Sequence, residues 1–225
     1  MAKQFEKATA SEKLSGYMMR HRKPIIAGAV FVIGAIVVFA VVAFIMSRAA
    51  EKGISAVDTI EYEFMRESAG LSEAEAASRR DSAMAALEPY IKKSGIVGVR
   101  ANMLAADIAF QRKSYGEAKS YWEQVAAKGK KAYTAAPAYF NIAVCCEELG
   151  DLVNAAAYYA KAADEAEFLR AAHARFSEGR VYEAQLDFVK AAEAYNKLND
   201  AMPNDTWAHL AKSRLIALKT EGKIE

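Results

Sequence analysis

The side chains that most often carry chemistry are few in this chain, and their spacing does not bring them together. The histidines are His21, His173 and His209, and the cysteines Cys145 and Cys146 are neighbours. Neighbouring residues point to different sides of a helix and disulfide geometry is demanding, so two small apolar side chains packed between helices are the natural interpretation. With no second cluster of Cys or His near this pair, the sequence predicts no metal site.

Acid–base and phosphate chemistry are not predicted either. Glu147 and Glu148 are adjacent acids, which indicate a solvated helix face rather than a pair of catalytic carboxylates. The chain has no HExxH motif, no glycine-rich phosphate loop and no nucleophile elbow. We therefore expect a protein that is not an enzyme and has no catalytic residues and no cofactor.

One long apolar run dominates the N-terminal part. Residues 25–46 are 22 consecutive residues without a charged side chain, and as a helix they would span about 33 Å, enough for a hydrocarbon core of roughly 30 Å. A cleaved signal peptide is the alternative, but its apolar region is shorter and ends at a small-x-small site. The sequence therefore favours an uncleaved transmembrane helix over residues 24–47.

The flanking charges predict the orientation of this helix. The tail, residues 1–23, carries six Lys or Arg and two Glu, whereas residues 47–70 carry three basic and five acidic residues. Since Lys and Arg are enriched on the cytoplasmic side, we expect a cytoplasmic N-terminus and a periplasmic or other extracytoplasmic C-terminal domain at an inner membrane. The tail is either solvated or an amphipathic segment on the lipid surface.

The remainder is expected to be all-α and not to bind nucleic acid. Beyond the tail lie 24 of the 30 basic residues and 26 of the 28 acidic residues. The basic residues there form no cluster of the kind that binds nucleic acid. Residues 48–98 read as a leading helical pair. Its first helix covers 53–68, and its second begins after a capping box of Ser72 and Glu75 and runs to about Lys93. Pro89 is expected to kink or split that second helix.

Three segments then repeat with spacings of 37 and 36 residues. Each has one small residue that aligns: Ala118, Ala155 and Ala191. An aromatic residue follows four positions later: Trp122, Tyr159 and Tyr195. Another small residue lies twelve positions before each aligned alanine: Ala106, Ala143 and Gly179. Helices approach closely where side chains are small, and a single hairpin cannot bury its own apolar stripe, so we expect stacked helical hairpins.

These segments resemble tetratricopeptide repeats. The middle one matches at Ala143, Gly150, Ala155, Tyr159 and Ala162, and the third at Gly179, Tyr182, Ala191, Tyr195 and Pro203. The early Trp of the pattern is replaced by Asn102, Tyr139 and Arg175. The resemblance implies a tetratricopeptide-like α-solenoid with three repeats over 99–204. Together with the apolar run, it predicts a single transmembrane helix followed by this α-solenoid. Residues 205–225 would form a capping helix and tail, with Trp207, Leu210, Leu215 and Leu218 on one face.

In such an array the first helix of each repeat lines the concave side. The resemblance therefore implies a partner-binding groove at these positions: Arg100, Met103, Asp107, Phe110, Gln111, Phe140, Val144, Glu147, Glu148, His173, Phe176, Arg180 and Glu183. Aromatic residues beside an arginine are typical of binding hot spots. Alternatively, Phe140 and Phe176 pack between hairpins.

The layout, a membrane anchor followed by repeats, also resembles the YfgM-type family of inner-membrane proteins. That resemblance implies protein partners near the secretion translocon, namely chaperones, translocon components or newly exported proteins. A second hypothesis is a structural subunit of a large envelope assembly, such as a flagellar-motor collar or a secretion apparatus, formed by self-assembly of the repeats.

Overall fold

A computed structural model describes residues 10–66, 70–129, 134–165 and 167–225. These residues form ten α-helices and no β-strand, which confirms the prediction of an all-helical chain. The helices are α1 (Ala10–Arg20), α2 (Arg22–Met65), α3 (Glu73–Ile91), α4 (Gly95–Gln111), α5 (Tyr115–Lys128), α6 (Ala135–Glu148), α7 (Leu152–Asp164), α8 (Ala171–Ala184), α9 (Phe188–Ala201) and α10 (Thr206–Thr220). The chain divides into two compact units, Met1–Glu51 and Lys52–Glu225.

The N-terminal unit contains α1 and the apolar part of α2. Residues 1–9 of the predicted tail lie outside the described residues. Every residue from 25 to 46 is exposed, and α2 is long and apolar enough to cross a membrane. Signal sequences share that property, so the helix is established here and its place in a bilayer remains a prediction.

Helix α3 begins at the predicted capping box and ends close to the predicted position. The backbone N–H of Glu75 donates to the Ser72 hydroxyl at 3.3 Å, and the N–H of Ser72 donates to the Glu75 carboxylate at 2.9 Å, which completes the capping box. Of the two outcomes predicted for Pro89, a kink or a split, the split is wrong, because α3 continues to Ile91 with Pro89 inside it.

Three hairpins follow: α4–α5, α6–α7 and α8–α9. The aligned small residues Ala118, Ala155 and Ala191 are all 0% exposed, as are Ala106 and Ala143 of the facing helices. These enclosed positions are equivalent in the three hairpins, as the repeat pattern predicted. In the third hairpin, a Cβ on Gly179 would come within 2.4 Å of the Tyr195 ring, so the glycine makes room for that aromatic side chain.

The three hairpin turns share a left-handed residue. Lys113, Gly150 and Leu186 have φ of 60, 73 and 62°. The residue after each donates its N–H to a carbonyl in the helix before the turn, Asp187 to Tyr182 at 2.9 Å for example, as in the glycine-favouring end of a helix. Lysine and leucine therefore stand where only glycine is free of strain.

Helix α10 closes the stack. Its buried residues Ala208, Ala211 and Leu218 join a cluster with Ala191, Tyr195 and Leu198 of α9. The prediction that Leu210 belongs to this buried face is wrong, because its side chain is 44% exposed. The buried face of α10 instead contains Ala208 and Ala211, whose small side chains allow α10 to approach α9 closely.

Candidate functional site

The predicted groove residues come from α4, α6 and α8, the first helices of the three hairpins, and α10 continues that row. We call the surface that these four helices share the first-helix face; it comprises Arg100, Asp107, Arg170 at the N-cap of α8, His173, Phe176, Arg180, Trp207 and Arg214. Contacts between the rings of α6, α8 and α10 connect it. The Phe140 and His173 ring centroids are 5.0 Å apart, and His173 stacks on Trp207 at 4.0 Å with an interplanar angle of 7°.

Phe140 belongs to the core rather than to an open groove. Its side chain is 4% exposed. The Tyr159 ring lies 5.2 Å away, and the Arg170 guanidinium covers it at 4.0 Å. Met103, Phe110, Val144 and Phe176 are half-buried, with Phe176 5.2 Å from Trp207. The apolar surface available to a partner is therefore centred on Phe176, His173 and Trp207, and sequence reasoning did not include Trp207 in the groove.

A polar triad joins the second hairpin to the third. Glu147 of α6 accepts hydrogen bonds from the Tyr159 hydroxyl at 2.6 Å and from Arg180 Nη2 at 2.7 Å. Burial, together with this hydrogen bond, raises the pKa of Tyr159 far above its usual range. The predicted groove residues Glu147 and Arg180 are thus partners of each other across 33 residues of sequence.

The same triad recurs between the third hairpin and α10. The Tyr195 hydroxyl donates to Glu183 at 2.5 Å, and Arg214 Nε donates to Glu183 at 3.1 Å. Burial by itself would raise the pKa of Glu183, but the hydrogen bonds from Arg214 and Tyr195 outweigh it, so the pKa is lowered. Sequence reasoning missed Arg214, although the twelve-residue step from Glu to Tyr repeats in both triads and could have been noticed.

Acidic groups surround the other end of the first-helix face. Arg100 Nη2 lies 2.6 Å from Asp58 and 3.8 Å from Glu61, both on α2. Loss of solvation, followed by repulsion from Glu61, raises the pKa of Asp107 to about 6, although the side chain keeps a solvent-exposed surface. Gln111 is exposed, and Glu148 accepts a hydrogen bond from Tyr115.

Polar residues that replace the early Trp of the repeat pattern hold neighbouring hairpins together. Asn102 is 0% exposed and donates to the Ile91 carbonyl, at the end of α3, at 2.8 Å. Arg175, 7% exposed, donates to Glu178 at 2.6 Å and pairs with Asp164 at the end of α7. Asn102 and Arg175 are therefore buried and have a structural role.

The cysteines have the environment that the sequence predicted. Cys145 and Cys146 are free and buried, and burial raises the pKa of the Cys145 thiol to about 12. A thiol of that kind is inert, because the thiolate is the reactive form. Among the described residues, no group of three or more His, Cys, Asp or Glu is placed to hold a metal. The expectation of no enzyme and no cofactor stays a prediction.

The fold and this face define a protein built of stacked helical hairpins. Residues 105–199 match a family model described as a domain of unknown function (DUF6340). The chain is 32% identical over 148 residues to a TPR repeat-containing protein of Treponema pallidum (strain Nichols), a match that covers 64% of this chain and 62% of that protein.

A shorter match is to response regulator aspartate phosphatase J of Bacillus subtilis (strain 168), 35% identical over 91 residues, which are 39% of this chain and 24% of that protein. The chain spans less than two thirds of either relative. With the helix pairs described above, the similarities support a tetratricopeptide-like repeat protein.

Proposed function

We propose that this protein is a single-pass membrane scaffold whose repeat domain binds other proteins outside the cytoplasm. Its partners would be exported proteins, chaperones or translocon components, as in the YfgM-type family. The main support is the first-helix face, where half-buried aromatic residues lie beside exposed arginines, the composition of a binding hot spot. The relative named as a TPR repeat-containing protein is consistent with such a role.

The membrane part of the proposal rests on α2 and its flanking charges. An exposed stretch of 22 apolar residues would aggregate in water, whereas a bilayer would cover it. The excess of Lys and Arg in residues 1–23 favours a cytoplasmic N-terminus. Protease added to spheroplasts should then digest the chain beyond Ser47, and protection of that part would reverse the orientation.

Site-specific photo-crosslinking in intact cells tests the binding role. A photoreactive phenylalanine analogue at Phe176, on the first-helix face, should form adducts with secretion or chaperone components. Tyr158 of α7 is a matched control, because it is also half-buried and aromatic but lies on a second helix. Equal adducts at both positions, or adducts only at Tyr158, would contradict binding at the first-helix face.

A structural subunit of an envelope assembly is a second candidate, favoured by one observation. Four aliphatic side chains are exposed at the turns of the second and third hairpins: Leu149 (51%), Val153 (71%), Leu186 (74%) and Val189 (64%). Exposed apolar patches often mark association surfaces. A stable ring or polymer in mild detergent, dispersed by Val153→Lys and Val189→Lys together, would favour this candidate over the first.

A further inference from the structure

The C-terminal part of the first-helix face presents positive charge to solvent. In the two triads the carboxylates lie beneath the guanidinium groups: the Glu147 and Glu183 side chains are 19% and 14% exposed, against 50% and 44% for Arg180 and Arg214. Arg180 uses Nη2 for Glu147, and a guanidinium has five N–H donors. The triads therefore leave donors of Arg180 directed toward solvent.

Arg170 adds a third cation to this region. Its guanidinium stacks over Phe140 at 4.0 Å, and its Nη2 lies 3.2 Å from His173 Nδ1. Within the described part of the chain, no carboxylate lies within salt-bridge distance of it. Burial, followed by the charges of Arg170 and Arg180, lowers the pKa of His173, so this imidazole is neutral at pH 7. Arg170 is thus an oriented cation without a counter-charge.

A half-buried aromatic cluster lies beside these cations. The His173 and Trp207 rings are parallel at 4.0 Å, and Phe176 adjoins Trp207 at 5.2 Å. All three side chains are half-buried, so each keeps a surface that a ligand side chain could cover. An aromatic surface bordered by guanidinium groups suits an apolar side chain flanked by carboxylates.

The charge reverses at the other end of the face. Asp58, Glu61 and Asp107 outnumber Arg100 there, and the Asp58 and Glu61 side chains are 45% and 46% exposed. An acidic segment is therefore attracted to α8 and α10 and repelled from α2 and α4. This difference gives a bound segment one preferred position along the face.

We propose that the partner of the first-helix face is an acidic polypeptide segment with an apolar or aromatic side chain, docked with its carboxylates on Arg170, Arg180 and Arg214 and its apolar side chain on His173, Phe176 and Trp207. This inference rests on the proposed function, because it names the chemistry of the partner for the same face.

Selection from random peptides tests this chemistry directly, whichever protein carries the segment. The full chain in detergent micelles is incubated with an array of random twelve-residue peptides, and the selected peptides are then titrated by fluorescence anisotropy. We expect enrichment of Asp and Glu next to Phe, Trp or Leu. Affinity should fall steeply as salt is raised, because exposed charges are screened.

Arg170→Glu is the decisive variant, since Arg170 supports no triad. It should weaken binding of the selected peptides by about tenfold or more, and Arg170→Lys by less. Lys161→Glu is the matched control, because Lys161 is also an exposed cation over a ring, 4.7 Å from the Tyr158 centroid, but lies on α7. It should bind like the unchanged protein.

Enrichment of neutral or basic peptides, or equal binding by Arg170→Glu, would overturn the inference while leaving the proposed function intact. Selection of no peptide would overturn it as well. The proposed function itself fails separately, if the photo-crosslinker at Phe176 captures nothing in cells.

Discussion

Neighbouring hairpins pack against each other in two different ways. The junction between the first and second hairpins differs from the next two, which join the second hairpin to the third and the third hairpin to α10. At the later junctions Glu147, Tyr159 and Arg180, and then Glu183, Tyr195 and Arg214, form hydrogen-bonded triads. The corresponding positions at the first junction are Phe110, Trp122 and Val144, which all belong to one apolar cluster.

The same three positions of the repeat therefore hold either three apolar side chains or a hydrogen-bonded Glu, Tyr and Arg. An apolar junction is stabilised by burial, which is insensitive to salt and pH. A triad depends on every member, because a buried carboxylate that loses its cation keeps the full desolvation penalty. Of the two kinds of junction, only the triads place charged groups at the surface.

Trp122→Ala should have the largest effect. Trp122 is 4% exposed in the main cluster, and truncation of a buried Trp costs about 3–5 kcal/mol of unfolding free energy. Denaturant unfolding of the full chain in detergent, followed by helical circular dichroism, measures it. Tyr159→Phe, the related change in a triad, keeps the ring and should cost only about 1–2 kcal/mol. Equal losses would remove the distinction between the junctions.

Gly179→Ala should disturb the triad at Glu183 through packing. The added Cβ would meet Tyr195 Cε1 at 2.4 Å, so the ring and its hydroxyl must shift. We expect a loss of about 1–3 kcal/mol, typical of overpacking. Gly116→Ala is the control, because nothing lies within 4 Å of a Cβ there; it should be neutral or slightly stabilising. An unchanged melting temperature for Gly179→Ala would contradict this close contact between α8 and α9.

Arg214→Ala should cost about 1–2 kcal/mol near neutral pH, less than a fully buried pair because Arg214 is 44% exposed. The loss should depend on pH. The folded-state pKa of Glu183 is lowered from 4.5, so its contribution is present above the unfolded pKa and is lost as pH falls through the folded pKa. The difference between the proteins should therefore shrink in acid.

The control for that series is Arg66→Ala, which removes an exposed pair with Glu63. Its effect should stay within about 0.5 kcal/mol at every pH. A loss for Arg214→Ala that did not change between neutral and acidic pH would mean that the Glu183 carboxylate is not stabilised by Arg214.

Leu186→Gly should give the smallest effect and the opposite sign. Leu186 has φ of 62° and is 74% exposed, so glycine relieves backbone strain without loss of burial, a gain of about 0.5–1 kcal/mol. Gly150→Ala at the equivalent turn should lose a similar amount, since its φ is 73°. Because both turns lie outside the triads, neither change should alter the pH dependence. Thermal unfolding at two pH values tests both points.

Much of the fold could be predicted from short-range pattern. The Ser72 capping box depends on residues within one turn of each other, and the enclosed alanines at 118, 155 and 191 follow from a regular spacing along the sequence. The candidate site was less predictable. Phe140 and Phe176 occupy the same repeat position, yet Phe140 is buried by Arg170 and Tyr159 while Phe176 is half-buried. Repeat position indicates the helix face but not what the next hairpin places upon it.

The sequence by itself determined where helices form, where hairpins can approach closely and which stretch is apolar enough for a bilayer, because each is a property of local composition and periodicity. Only the tertiary structure decided that Glu147 is bound to Arg180 and Glu183 to Arg214, pairs 33 and 31 residues apart. The energy of a charge depends on the groups packed around it, and those groups come from neighbouring hairpins whose placement no local pattern specifies.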